Sequence, residues 1–199
     1  GDATDKSMYQ DLAEGLRYVR KNQTLLALIV IALVPSMFMM PFTQGLMPVF
    51  SKEVLHGGPT ALGMLLASTG VGAIVGTLSL ATLGNFSRKG ALLIISAALA
   101  GLSMMGFSQT TLLPISMIML AIHGGFQMMY HATNNTIIHL VTPDRYRGRV
   151  MSIYMLDRGL VPAGAFLAGA LAEALGTANA VLIAGAVMTT LILVIVTQF

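Results

Sequence analysis

The sequence predicts an all-α membrane protein, a bundle of six transmembrane helices, and three observations carry that expectation. Of 199 residues, 55% are hydrophobic and only 10% are charged, against roughly 25% charged in an ordinary soluble domain. The 11 basic and 8 acidic residues are clustered, leaving uncharged runs over 22–51, 54–87, 90–143 and 174–199, each long enough to cross a bilayer. Mean hydropathy is +0.79, and strand-like alternation is absent, so helices are left to satisfy the backbone in lipid.

Along the chain, Met8, Leu12, Leu16 and Val19 recur at helical spacing, with Asp11, Glu14, Arg17, Arg20 and Lys21 mostly opposite. This pattern predicts an amphipathic helix on the membrane surface, within a cytoplasmic linker over residues 1–24. The transmembrane domain then occupies 25–199. Its first span, 25–50, carries Pro35, Pro41 and Pro48 with Ser36, Thr43 and Gln44, and is expected to be kinked or broken. The second, 60–83, holds Gly63, Gly70, Gly72 and Gly76, of which Gly72 and Gly76 form a GxxxG packing face.

The loop GNFSRKG leads to a third span at 91–107. The uncharged run 90–143 is 54 residues long; as one helix it would reach roughly 80 Å across a core of about 30 Å. It must turn back, and Ser108 to Pro114 is the expected break. The fourth span is then 115–139, ended by the basic stretch TPDRYRGR; the fifth is 150–175 and the sixth 180–198. Nine Lys and Arg fall on one side of this topology and only Lys52 on the other, with Arg158 inside a span. The asymmetry predicts cytoplasmic termini.

Several chemistries are excluded. Without cysteine there is no disulfide, thiolate metal site or cysteine nucleophile. HExxH, GxxxxGK[ST] and GxSxG motifs are absent, and the four His, at 56, 123, 131 and 139, lack the usual spacing of metal ligands. No enzyme activity, cofactor or metal is expected. The net charge of +3 is explained by the membrane-flanking clusters rather than by nucleic-acid binding. Because it begins at Gly1, the chain reads as a piece of a longer one.

The fourth span carries the most informative pattern. His123, Gln127, Tyr130, His131 and Asn134 occupy an arc of about 100° on a helix. Unpaired polar groups are costly in hydrocarbon, so this face meets either an aqueous substrate or proton pathway or neighbouring helices as structural glue. In the fifth span, Asp157 and Arg158 are adjacent but diverge by about 100° and need not pair; Arg158 is able to snorkel to the interface. Gly164, with Gly72 and Gly76, marks helix packing.

Together, the amphipathic lead-in, six spans, Gly-rich second span and TPDRYRGRVMSIYML before GLVPAGAFLAGALAEALG resemble the C-terminal half of a major facilitator superfamily transporter. The pattern is most similar to the bacterial branch containing the enterobactin exporter and the transmembrane secretion effectors. The resemblance implies half of a 12-helix fold with a 3+3 inverted repeat, working by alternating access. It implies that the first and fourth spans line a cavity, with Gln44 joining the fourth-span set, that the second and fifth meet the other half, and that the third and sixth face lipid.

The same resemblance implies an inner-membrane, proton-coupled exporter of small amphipathic molecules, drugs or siderophores, with membrane lipid, substrate, protons and an N-terminal six-helix half as partners. Cytoplasmic latch residues would be Arg145 and, in an RGR turn, Arg147 and Arg149, with Asp157 and Arg158. Asn85 stands where the family often has Asp, which weakens any charge lock in that loop. The competing expectation is a non-transporting six-helix scaffold or assembly partner.

Overall fold

The computed structural model describes residues 8–84 and 88–198, with side chains over 14–84 and 88–195; Asn85 lies outside the described residues. Helix α1 covers Met8–Lys21, α2 Gln23–Phe38, α3 Leu46–Glu53, α4 Gly58–Leu83 and α5 Lys89–Ser108. They are followed by α6 at Leu113–Val141, α7 at Asp144–Met155, α8 at Val161–Leu175 and α9 at Thr177–Gln198. Among the described residues every regular element is helical, and six stretches are long and apolar enough to span a membrane: Gln23–Glu53, Gly58–Leu83, Lys89–Ser108, Leu113–Val141, Asp144–Leu175 and Thr177–Ile195.

Proline chemistry breaks two of these spans. Pro41 has no N–H to offer the Met37 carbonyl four residues back, and the first span passes through a π-helical turn at Pro41–Gly45 between α2 and α3. Pro35, by contrast, sits inside α2. In the fifth span Pro162 occupies the first turn of α8, and a 3₁₀ turn at Leu156–Leu160 separates it from α7.

The fifth span also starts earlier than expected. Pro143 is extended, at φ −58° and ψ 148°, and Asp144 lies in the first helical turn, a start favoured by the positive end of the helix dipole. Arg147 and Arg149 therefore belong to a helix rather than a turn. Between α8 and α9 only Gly176 intervenes, at φ 86°, a left-handed conformation that glycine adopts without steric cost.

Helix packing follows the small residues. A Cβ on Gly72 would collide with the Ala121 carbonyl, one on Gly76 with Gly125, and one on Gly124 with the Thr69 carbonyl, so α4 and α6 run backbone against backbone. Similarly, Gly164 of α8 seats on the Met37 carbonyl and Pro41 of the broken first span. Gly101 of α5 faces Gly185 and Thr189 of α9, while Gly185 faces Gly101 and Met105.

These contacts have an internal two-fold logic. The first three spans and the last three form equivalent units: each second span docks a glycine on the other unit's first span, and the two third spans meet glycine to glycine. This cross-pairing of two three-span units is the arrangement that the expected 3+3 repeat calls for.

The spans expected to face lipid are only partly outward. Ala97, Ala100 and Met104 of α5 and Ala184 and Met188 of α9 are buried, while Ile95, Leu102, Leu193 and Val194 are exposed. Hydroxyls within the bundle are largely self-satisfied: Ser68, Ser96 and Thr43 donate to carbonyls four residues earlier at 2.7–2.8 Å, as helices in lipid require.

Helix α1 is docked rather than free on a surface. Tyr18 stacks on Tyr146 of α7 at 4.2 Å between ring centroids and 8° between planes, and Arg149 Nη1 donates to Glu14 Oε2 at 2.6 Å. Gly15 allows the close approach to Arg149 and Ile153. Stacked aromatic pairs contribute about 0.5–1.5 kcal/mol, more than the half-exposed ion pair.

Two outcomes follow. Gly72→Ala, placing a methyl on the Ala121 carbonyl, is expected to cost about 1–3 kcal/mol, whereas Gly70→Ala, which meets open space, changes stability by less than about 0.5 kcal/mol; detergent unfolding curves read both. Tyr18→Ala is expected to raise the rate of trypsin cleavage at Arg20 and Lys21 roughly two- to ten-fold by shifting local opening of α1.

Candidate functional site

The polar face of α6 divides into two groups once its neighbours are placed. His123, at the end nearer α5's middle, is fully buried, and its Nδ1–H donates to the Ala100 carbonyl at 2.9 Å. A carbonyl only accepts, so this bond fixes the tautomer. His123 Nε2 has no hydrogen-bond partner among the described residues. This residue, expected on the cavity-facing stripe, instead ties α6 to α5.

Lower on α6, side chains turn toward the first span. Gln127 Nε2 donates to Met39 Sδ at 2.9 Å, and the fully buried Tyr130 donates its hydroxyl proton to the Ile31 carbonyl at 3.0 Å. His131 is half-buried and stands edge-on to Tyr130, with 5.0 Å between centroids. Gln44, on the π-helical turn, is exposed and makes no hydrogen bond with this group.

The fifth span supplies the charge. Its 3₁₀ turn points Asp157 inward, at 9% exposure, and leaves Arg158 outside. Ser36 Oγ of α2 donates to Asp157 Oδ2 at 3.0 Å, and Asp157 lies within electrostatic reach of Tyr130, His131 and Tyr154. Among the described residues neither Asp157 nor Arg158 is in an ion pair. Burying a carboxylate without an ion-pair partner is costly, and Ser36 supplies the hydroxyl donor that partly offsets it.

Asn134 completes the group. It is fully buried beside Tyr154, yet neither its amide nitrogen nor its amide oxygen completes a hydrogen bond of good geometry, and Thr133 Oγ1 is likewise unpartnered. Native interiors rarely leave such groups unmatched without a reason. Ser36, Asn134, Tyr130, His131, Tyr154 and Asp157 thus converge from α2, α6 and the α7–α8 junction.

Ser36 stood out only as one of the polar residues of the first span, and Tyr154 was not singled out by sequence pattern. The signal for Ser36 was its place beside Pro35 in an otherwise apolar run; for Tyr154 it was its position one helical turn before Asp157. The arginines of the expected latch lie elsewhere, on α7: Arg149 holds Glu14, Arg147 pairs with Asp144 at 2.6 Å, and Arg145 lies 5.6 Å over the Tyr146 ring. Among the described residues no group of His, Asp and Glu is arranged to hold a metal ion.

A cavity of about 470 Å³ is lined by Leu28, Ile31, Leu93, Ile94, Ile137 and Lys89 among others. It opens near the basic end of the bundle and is not lined by Asp157, His131 or Asn134.

Comparison with known proteins gives these observations a family. The sequence model of the transmembrane secretion effectors matches residues 2–199. The chain is 28% identical over 166 residues to the multidrug efflux pump Tap of Mycolicibacterium fortuitum, covering 83% of this chain and 40% of that one. It is 28% identical over 131 residues to the staphyloferrin A transporter of Staphylococcus aureus, covering 66% and 33%. With macrolide efflux protein A of Streptococcus pyogenes it shares 27% identity over 189 residues, covering 91% and 45%.

The chain therefore spans less than half the length of these curated relatives. No solved structure matches it. A match running over nearly the whole chain, onto six apolar spans, leads to one conclusion: the chain belongs to the transmembrane secretion effector family of the major facilitator superfamily.

Proposed function

We propose that this chain is the C-terminal half of a secondary active, proton-coupled exporter of small amphipathic molecules such as drugs or siderophores. The observation that carries the reading is Asp157, inside a membrane-spanning unit, held by Ser36 and surrounded by His131, Tyr130 and Tyr154. Intramembrane carboxylates and histidines are expensive and cluster on ion and substrate pathways. Relatives that are named efflux pumps for drugs, and one named for a siderophore, supply the substrate class.

In this reading an N-terminal six-helix half closes the cavity against α2 and α6. The exposed apolar faces of α4, with Val71, Ile74, Val75 and Leu78, and of α8, with Phe166 at 81% exposure, are partner-half or lipid surfaces. Alternating access rocks the two halves about the polar cluster, and the α4 and α8 glycines are where helices slide. The end bearing α1, Arg88 and the α7 arginines is cytoplasmic, in a bacterial inner membrane, by the bias of basic residues. Arg145, Arg147 and Arg149 act there as the latch, while Asp157 acts inside.

A second reading has a specific observation in its favour. The His123 bond to Ala100 and the Tyr130 bond to Ile31 join helices as structural glue does, which is what a non-transporting scaffold needs. The two readings differ in what they expect when Asp157 and His131 are substituted.

The test is gradient-driven efflux of a fluorescent amphipathic dye from vesicles containing the full-length parent protein. Asp157→Asn, nearly isosteric and still able to accept from Ser36, is expected to lower proton-driven efflux about ten-fold or more while dye exchange without a gradient persists. His131→Ala is expected to flatten the pH profile of efflux and His123→Ala to leave it unchanged. Normal efflux and pH profiles in well-expressed Asp157→Asn and His131→Ala would return the cluster to a structural role.

A further inference from the structure

The docking of α1 on α7 creates a second site, remote from the polar cluster. Between the two helices lies a cavity of about 340 Å³ lined by Glu14, Arg17, Tyr18 and Lys21 of α1 and by Arg145 and Tyr146 of α7. Glu14 is the one acidic residue of this lining, and its carboxylate is bonded to Arg149 at 2.6 Å. Among the described residues Arg17, Lys21 and Arg145 are in no ion pair. The stacked rings of Tyr18 and Tyr146 hold the two walls in register.

Three cations around one small cavity repel one another unless an anion joins them. Two guanidinium forks, an ammonium and the two tyrosine hydroxyls form a donor set suited to a tetrahedral oxyanion, since arginine pairs two N–H groups with two phosphate oxygens. The volume exceeds that of a bare phosphate and accommodates a phosphoglycerol group.

The site's level in the molecule narrows the source. Lys21 lies two residues before α2 enters its span, and Arg145 lies in the first turn after α6 leaves its own, which is where lipid headgroups meet a bundle. On α1, Val19 is buried against the bundle while Leu16, next to Arg17, is 50% exposed, an outward apolar side chain placed to enter the interface.

We propose that the cavity between α1 and α7 binds a phosphate-bearing anion, drawn either from an anionic phospholipid headgroup or from soluble phosphate. The bound anion neutralises Arg17, Lys21 and Arg145 together and so fastens α1 to α7. This proposal is independent of transport and of the role of Asp157.

The test is native mass spectrometry of the detergent-purified full-length parent protein with phosphatidylglycerol, phosphatidylcholine or inorganic phosphate as probes. Wild type is expected to retain phosphatidylglycerol in preference to phosphatidylcholine, with affinity falling about five-fold for each cation removed in Arg17→Gln, Lys21→Gln and Arg145→Gln. Arg88→Gln, exposed at the same end but outside the cavity, is expected to leave binding unchanged. Displacement of the lipid by inorganic phosphate assigns the site to soluble phosphate, and persistence of the lipid assigns it to the headgroup; both support the proposal. Equal retention of phosphatidylglycerol by the triple variant, equal binding of phosphatidylcholine by wild type, or binding of no probe would overturn it.

Discussion

Hydrocarbon offers no hydrogen bonds, and the rest of this structure depends on that one constraint. A polar atom inside the bundle must find a partner within the protein, because leaving it bare costs several kcal/mol. Most hydroxyls meet the requirement locally by donating to their own helix, as Ser68 and Ser96 do. Rings and amides cannot reach their own backbone so easily and therefore specify which helices meet. His123 selects α5, Tyr130 selects α2 and Gln127 selects the end of α2. The polar stripe is thus an assembly code as well as a candidate working surface.

Glycine sets how close those helices come. Where α4 crosses α6, and where α8 crosses the broken first span, backbone carbonyls occupy the volume a side chain would need. In lipid there is little hydrophobic gain from helix association, so such close van der Waals contact is a main source of cohesion. The same device appears in both three-span units. A bundle held by smooth backbone-to-backbone seams, with few interlocking large side chains across them, is suited to small sliding movements.

Against this economy the Asp157 cluster stands out. Its carboxylate has one hydroxyl donor, its neighbour Asn134 has unmatched amide atoms, and the break at the α7–α8 junction aims the charge inward. Among the described residues most buried side-chain polar atoms elsewhere are satisfied, with His123 Nε2 and Thr133 Oγ1 as exceptions. The second concentration of unmatched charge, between α1 and α7, sits where water and headgroups are available and has a different chemistry, cationic and open rather than acidic and enclosed.

Hydropathy, charge clustering and span length alone determined the six spans, the basic asymmetry and the break in the proline-bearing first span, because those depend on the local cost of placing each residue in lipid. The polar face of α6 and the packing roles of Gly72, Gly76 and Gly164 were legible for the same reason, through helical periodicity. The tertiary structure alone decided that His123 faces α5 while His131 stands edge-on to Tyr130, that Ser36 holds Asp157, that the RGR segment is helical, and that α1 docks on α7. Each of these turns on the crossing of distant helices, and a periodic pattern specifies which face of a helix is polar but not which neighbour that face will meet.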